Sequence, residues 1–128
     1  FILFISISFY GQNTIEKTIF FDKNSYKLDN IDLVEVSKIA KLLDSTDFSF
    51  LKIFAYSTIS GTENYNFELS KKRAFSVFNE IEKLNSIDKS KFYMTWIGES
   101  DDTYDLHYNN AHSQQSCVDI IVYLESNK

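Results

Sequence analysis

Two stretches with apolar residues at helical spacing, each set between short runs of β-branched and aromatic residues, do most to limit what this chain can fold into. Ile15 to Asp22 contains Thr18, Ile19, Phe20 and Phe21 and predicts a strand. Asn24 and Ser25 mark a turn. Asp29 or Asn30 caps a helix in which Ile31, Val34, Ile39, Leu42 and Leu43 recur at near-helical spacing, with Val36 and Ala40 filling in. Asp32, Glu35, Lys38 and Lys41 are assigned to its other face, and Glu35 and Lys38 are spaced to pair. That helix ends near Asp44. Phe50 to Tyr56 holds one charge, Lys52, and reads as an interior strand. After a loop over 57–62, the second helix runs from Glu63 to Leu84, with Phe67, Ala74, Val77, Phe78, Ile81 and Leu84 as its apolar stripe. Lys91 to Ile97 is a third strand, 98–115 a polar loop, and 117–124 alternates as a fourth strand. The order β-α-β-α-β-β predicts an α/β two-layer sandwich, with two helices on one face of a mixed four-stranded sheet.

The chain has 128 residues, the size of one domain. It contains no proline and three glycines, which excludes a linker-like or disordered chain. A net charge of −5 with no Lys/Arg stripe argues against nucleic-acid binding. The single cysteine, Cys117, makes no internal disulfide, and its place in an alternating strand predicts a small buried hydrophobe. Phe1 to Tyr10 is apolar but for Ser6 and Ser8. Ten residues fall short of the ~20 that span a bilayer, but they match the apolar region of a secretory signal peptide. We therefore expect residues 1–11 to be part of a signal peptide, here without its basic start, and 12–128 to be the domain. A buried first strand is the alternative. No transmembrane span is expected.

Few residues suggest catalysis. His107 and His112 lie near Asp101, Asp102 and Asp105, but the spacing is that of a solvated acidic loop, so neither metal nor cofactor is expected. Ser57, Ser60 and Ser70 lack the His and Asp of a nucleophile arrangement. The informative stretch is Tyr56 to Ala74, YSTISGTENYNFELSKKRA. A loop running from a strand into a helix offers backbone N–H groups at the helix start, which favour an anion such as a carboxylate. Asn66 adds an amide, and Arg73 adds a planar guanidinium suited to carboxylate recognition. The plainer alternative for Arg73 is a surface ion pair.

The same stretch resembles the OmpA-like domain shared by outer-membrane OmpA proteins, peptidoglycan-associated lipoproteins and MotB proteins. That pattern runs strand, G-H-T-D, two residues and Gly, Y-N, then L-S-x-x-R-A. Gly61, Tyr65, Asn66, Leu69, Ser70, Arg73 and Ala74 match it in register, while Ala55-Tyr56-Ser57-Thr58 replaces G-H-T-D. Phe21, Asp22 and Leu28 resemble the opening strand and first helix start. Ile97-Gly98-Glu99-Ser100 resembles the G-x-G-E-S turn, with Trp96 in place of its first Gly, and Val118-Asp119-Ile120 resembles the closing R-R-V-E-I strand. The likeness covers roughly residues 18 to 124.

The resemblance implies a non-catalytic envelope module that binds peptidoglycan through the diaminopimelate of its stem peptide. In that pattern the Asp takes the ammonium and the Arg takes the carboxylate. Carried over, the ligand site comprises Ser57, Thr58, Asn66 and Arg73, with Thr58 standing where the Asp was. A charge-assisted hydrogen bond contributes ~1.5–3 kcal/mol against ~1 for a neutral one, so affinity or specificity is expected to differ. The closing N-R-R is also replaced, by Gln115-Ser116-Cys117. One reading is a peptidoglycan binder of weakened or altered specificity in the periplasm, associated with the outer membrane or with envelope proteins. A second is a degenerate domain that has lost peptidoglycan and serves as a protein-interaction or assembly module. A third, a cell-wall enzyme, has no residues to support it. Glu63 or Asp101 reaching toward Arg73 would favour the first reading.

Overall fold

Strict alternation along residues 117–124 gives one strand two apolar-facing tasks, and such a strand belongs in the middle of a sheet. The computed structural model, which describes residues 4–7, 13–57, 62–97 and 116–125, places it there. The elements are β1 (Phe4–Ile7), β2 (Asn13–Phe20), α1 (Asn30–Ser45), β3 (Phe48–Tyr56), α2 (Glu63–Leu84), β4 (Phe92–Trp96) and β5 (Cys117–Leu124). The sheet order is β1-β2-β5-β3-β4. β5 runs antiparallel to both β2 and β3, and β3 pairs in parallel with β4. The expected mixed four-stranded sheet is therefore present. It is extended by β1, which pairs antiparallel to β2 from Phe4↔Glu16 to Ile7↔Asn13, within the segment read as a signal peptide.

Both helices cover the same face of the sheet. Ile15 and Ile19 of β2, Leu51, Ile53 and Ala55 of β3, and Val118, Ile120 and Val122 of β5 all point into the layer beneath them. Val36, Ile39, Ala40 and Leu43 of α1, and Ala74, Val77, Phe78 and Ile81 of α2, close that layer from above. Asn85 ends α2, and its side-chain amide donates to the Ala40 carbonyl at 3.3 Å, tying the helices together.

The first helix starts where expected but faces differently. Asp29 is its N-cap, accepting from the Asp32 N–H at 2.7 Å while its own N–H donates to the Asp32 carboxylate at 3.1 Å. Ile31 and Val34, assigned above to the apolar face, are 72% and 52% exposed. Val34 precedes Val36 by two residues, about 200° around the helix, so both cannot face the core. Glu35, assigned to solvent, is buried instead and pairs with Lys17 of β2 at 3.7 Å rather than with Lys38. In α2, Ala74, Val77, Phe78 and Ile81 are buried as expected, but Phe67 and Leu84 at the stripe's upper and lower ends are exposed.

The opposite sheet face carries Cys117, fully buried as expected, beside Phe54 and Tyr56. These two rings stack at 4.9 Å. Thr18 Oγ1 donates to Asp119 Oδ1 across β2 and β5 at 2.6 Å. Burial, with Asp119 second, pushes the Cys117 thiol far above its ordinary range, so it has no thiolate character.

Candidate functional site

The loop of residues 21–29 and the N-terminal half of α2 are held together by side chains of α2. Asn24 takes a positive φ of 60°, which Asn tolerates better than most residues, and this turns the chain back toward the helix. The Tyr65 hydroxyl donates to Asn24 Oδ1 at 2.9 Å. Ser76 Oγ donates to the Tyr26 carbonyl at 2.6 Å, and Lys72 Nζ lies 5.3 Å from the Tyr26 ring centre. Tyr65, Lys72 and Ser76 thus pin two residues of the loop, Asn24 and Tyr26.

Arg73 lies at the centre of this contact and is 0% exposed, which rules out the surface ion pair. Its Nε donates to the Ser25 carbonyl at 2.7 Å and its Nη2 to the Asp22 carbonyl at 3.1 Å. The guanidinium lies over the Phe21 ring, 5.4 Å from its centre. Nη1 is buried and has no hydrogen-bond partner among the described residues. Burial lowers the Arg73 pKa to about 10, with Tyr65 and Cys117 opposing the shift, so the group stays cationic at neutral pH. A buried cation with an unengaged donor is the arrangement that a carboxylate satisfies best.

Of the expected site residues, Asn66 lies seven positions before Arg73, hence on the same helix face, and is buried. Ser57 is buried at the end of β3. Thr58 and Gly61 lie outside the described residues, as do Asp101, Asp102, Asp105, His107 and His112. At the start of α2, Thr62 is the N-cap and its hydroxyl accepts from the Tyr65 N–H at 3.1 Å, so one of the N–H groups proposed for an anion is already engaged. Glu63 is exposed and lines a different cavity, with Asn64, Phe67 and Ile97. Among the described residues no cluster of three His, Cys, Asp or Glu is placed to hold a metal, and no helix is long and apolar enough to cross a membrane.

Sequence reading missed the second duty of Arg73, its grip on the 22–25 carbonyls. Backbone acceptors carry no residue signature, so only Asn24, a residue that tolerates positive φ, hinted at a tight return there.

The fold and site together define a two-layer α/β module with a buried arginine, incompletely partnered among the described residues, under the loop of residues 21–29. The chain belongs to the OmpA family, whose model matches residues 20–116. Its fold is shared by the OmpA-like domain of FopA1 from Francisella tularensis subsp. tularensis SCHU S4, with a TM-score of 0.74 at 19% identity, covering 99% of this chain and 84% of that one. The peptidoglycan-associated lipoprotein from Burkholderia pseudomallei superposes with a TM-score of 0.62 at 23% identity, over 83% of this chain and 88% of that one. The cell wall anchor of the T6SS from Pseudomonas aeruginosa gives 0.64 at 17% identity, over 94% and 88%.

Proposed function

We propose that this chain is a non-catalytic module of the bacterial envelope that binds the diaminopimelate stem peptide of peptidoglycan through Arg73. The observation that carries the reading is the Arg73 guanidinium, fully buried, with Nη1 unpartnered among the described residues. Asn66, buried on the same helix face, and Ser57, buried just after β3, are the neutral hydrogen-bonding groups this reading assigns to the site, and Thr58 stands at the position of the pattern's Asp. Two structural neighbours are named for association with peptidoglycan or the cell wall, which supports the same ligand class and a periplasmic location. We read residues 1–11 as the apolar part of a leader, with the module held at the wall or by outer-membrane partners.

The test is co-sedimentation of the full chain with diaminopimelate-type peptidoglycan, with free diaminopimelate as competitor. Binding that diaminopimelate displaces, and that Arg73→Ala abolishes, is the expected result. Because Arg73 also ties down the loop, Arg73→Ala should lower stability by about 2–4 kcal/mol, so its melting curve is recorded beside its binding. Binding to peptidoglycan that free diaminopimelate does not displace would sink the assignment.

The second reading, an interaction module that has lost this ligand, is favoured by one surface. Tyr26, Leu28 and Leu33 line an open groove of about 600 Å³, and Ile31 and Val34 are exposed nearby on α1. A folded wild-type chain that ignores peptidoglycan would select this reading.

A further inference from the structure

Arg73 is the single arginine of the chain, and the way its guanidinium is held limits how a ligand can reach it. A guanidinium has two edges that each present a pair of parallel N–H bonds. The side edge carries Nε–H and one N–H of Nη2, the terminal nitrogen on that side. The end edge carries the second N–H of Nη2 and one of Nη1. Here the side edge belongs to the loop: Nε donates to the Ser25 carbonyl at 2.7 Å and Nη2 to the Asp22 carbonyl at 3.1 Å. One face of the guanidinium plane lies against the Phe21 ring, 5.4 Å from its centre. Nη1, on the end edge, is buried and has no hydrogen-bond partner among the described residues.

The two carbonyls reach the side edge because the loop turns tightly. The Asp22 carbonyl accepts from the Ser25 N–H at 3.0 Å, which closes a four-residue turn with Asn24 third, at a φ of 60°. The same carbonyl oxygen has a second lone pair, and Nη2 uses it. A turn of exposed residues is weakly held by itself, since water competes for its hydrogen bonds. Two hydroxyls of α2 add to it. Tyr65 donates to Asn24 Oδ1 at 2.9 Å, and Ser76 donates to the Tyr26 carbonyl at 2.6 Å. Tyr65 lies eight residues before Arg73 and Ser76 three after, so the two ties bracket the guanidinium over about 16 Å of helix. Each tie holds the backbone on which Arg73 leans rather than Arg73 itself.

From this geometry we propose that Tyr65 and Ser76 are positioning residues for Arg73: by holding the 22–26 turn they keep its side edge occupied and aim its end edge at the carboxylate of the ligand. The inference rests on the carboxylate reading above and adds the direction of approach. The two oxygens of a carboxylate match the end edge as a fork. With the turn fixed beforehand, binding does not have to order it. Once the ties are lost, only the molecules with the turn closed are competent, and the apparent affinity falls by that fraction.

The experiment uses the full chain isotope-labelled at arginine nitrogen, so that one Nε–H resonance reports on Arg73. Hydrogen exchange of that resonance, calorimetric titration with free diaminopimelate and melting curves are recorded for wild type, Tyr65→Phe, Ser76→Ala and the double variant. In wild type the Nε–H should exchange slowly, and diaminopimelate should shift the Nη resonances while Nε–H exchange stays slow. Each single variant should bind about three- to fivefold more weakly, the scale of one neutral hydrogen bond, and the double variant about tenfold more weakly. Nε–H exchange should quicken in the same order. Ile39→Ala, a change in the α1 core, is the control for lost stability: well below its melting temperature it should leave exchange and affinity at wild-type values. Unchanged exchange in the double variant, quickened exchange with unchanged affinity, or an equal effect of Ile39→Ala would overturn the proposal. So would a ligand that itself speeds Nε–H exchange, because it would be displacing the loop from the side edge. If wild type binds no diaminopimelate, the ligand reading falls, and acetate, a bare carboxylate, becomes the probe. Acetate-induced Nη shifts that the double variant weakens then sustain this inference, and unmoved Nη resonances overturn it.

Discussion

A guanidinium presents five N–H donors in one plane, and in Arg73 the loop carbonyls of Asp22 and Ser25 engage two of them. The L-S-x-x-R-A match located this residue in the sequence but said nothing of that division of labour. Its folded pKa, lowered by burial to about 10, sits below the ordinary arginine value. The unfolded chain therefore holds the proton more firmly, and the buried charge costs stability at neutral pH, a cost that shrinks as pH rises between those values. A bound carboxylate offsets it. Set against the resembled pattern, what this chain lacks is the carboxylate at position 58 that takes the ligand's ammonium, where Thr58 stands. Thr58→Asp should tighten binding of diaminopimelate by about tenfold, the difference between a neutral and a charge-assisted hydrogen bond. Calorimetry on wild type and variant measures this directly, and unchanged affinity would mean that position 58 does not face the ammonium.

At the scale of elements, the limits of α2, Glu63 to Leu84, were legible to the residue, and its apolar stripe was legible except at Phe67 and Leu84, which are exposed. In α1 the limits were legible but the facing was not. Eight apolar residues within thirteen positions overfill one helical stripe, and only packing in the folded core decides which are left out. Ile39 is 0% exposed and Ile31 is 72% exposed. Ile39→Ala should cost about 2–5 kcal/mol, and Ile31→Ser should stay within about 0.5 kcal/mol of wild type, both read from urea denaturation. The cap of the same helix gives a pH-dependent expectation. Desolvation first, and the neighbouring Asp29 charge among the smaller causes, raise the Asp32 pKa above 3.8. The folded state thus binds this proton more tightly than the unfolded one, so the Asp32 contribution becomes more favourable as pH falls through its folded value toward 3.8. In Asp32→Asn that acid-side gain should be absent. Parallel denaturation of the two proteins from pH 7 to pH 4 should show their stability difference shifting toward wild type at the acid end. A constant difference would contradict the raised value.

For the molecule as a whole, the alternation of strand and helix signals was enough to order four strands and two helices, because each crossover constrains its neighbours. The sequence could not show β5 sitting between β2 and β3, since antiparallel insertion leaves the same apolar period as any interior strand. Nor did it resolve the role of Phe4–Ile7. An apolar run of that length suits a signal peptide and also suits an edge strand, and both depend on the same residues. In the full chain these residues pair with β2 over four positions. Among the described residues, the buried core draws on β2, β3 and β5 and on both helices. If residues 1–11 are a leader, the domain must stand without that pairing. A chain beginning at residue 12 should then keep a single cooperative urea transition and lose no more than about 2 kcal/mol, the scale of a few net backbone hydrogen bonds at an edge. The m-value should stay near that of the full chain, because little buried surface is removed. N-terminal sequencing of the exported protein should place its first residue near position 12. A truncated chain that loses cooperativity, together with an exported protein that retains Phe4–Ile7, would instead make β1 an integral strand, and the export signal would have to lie elsewhere.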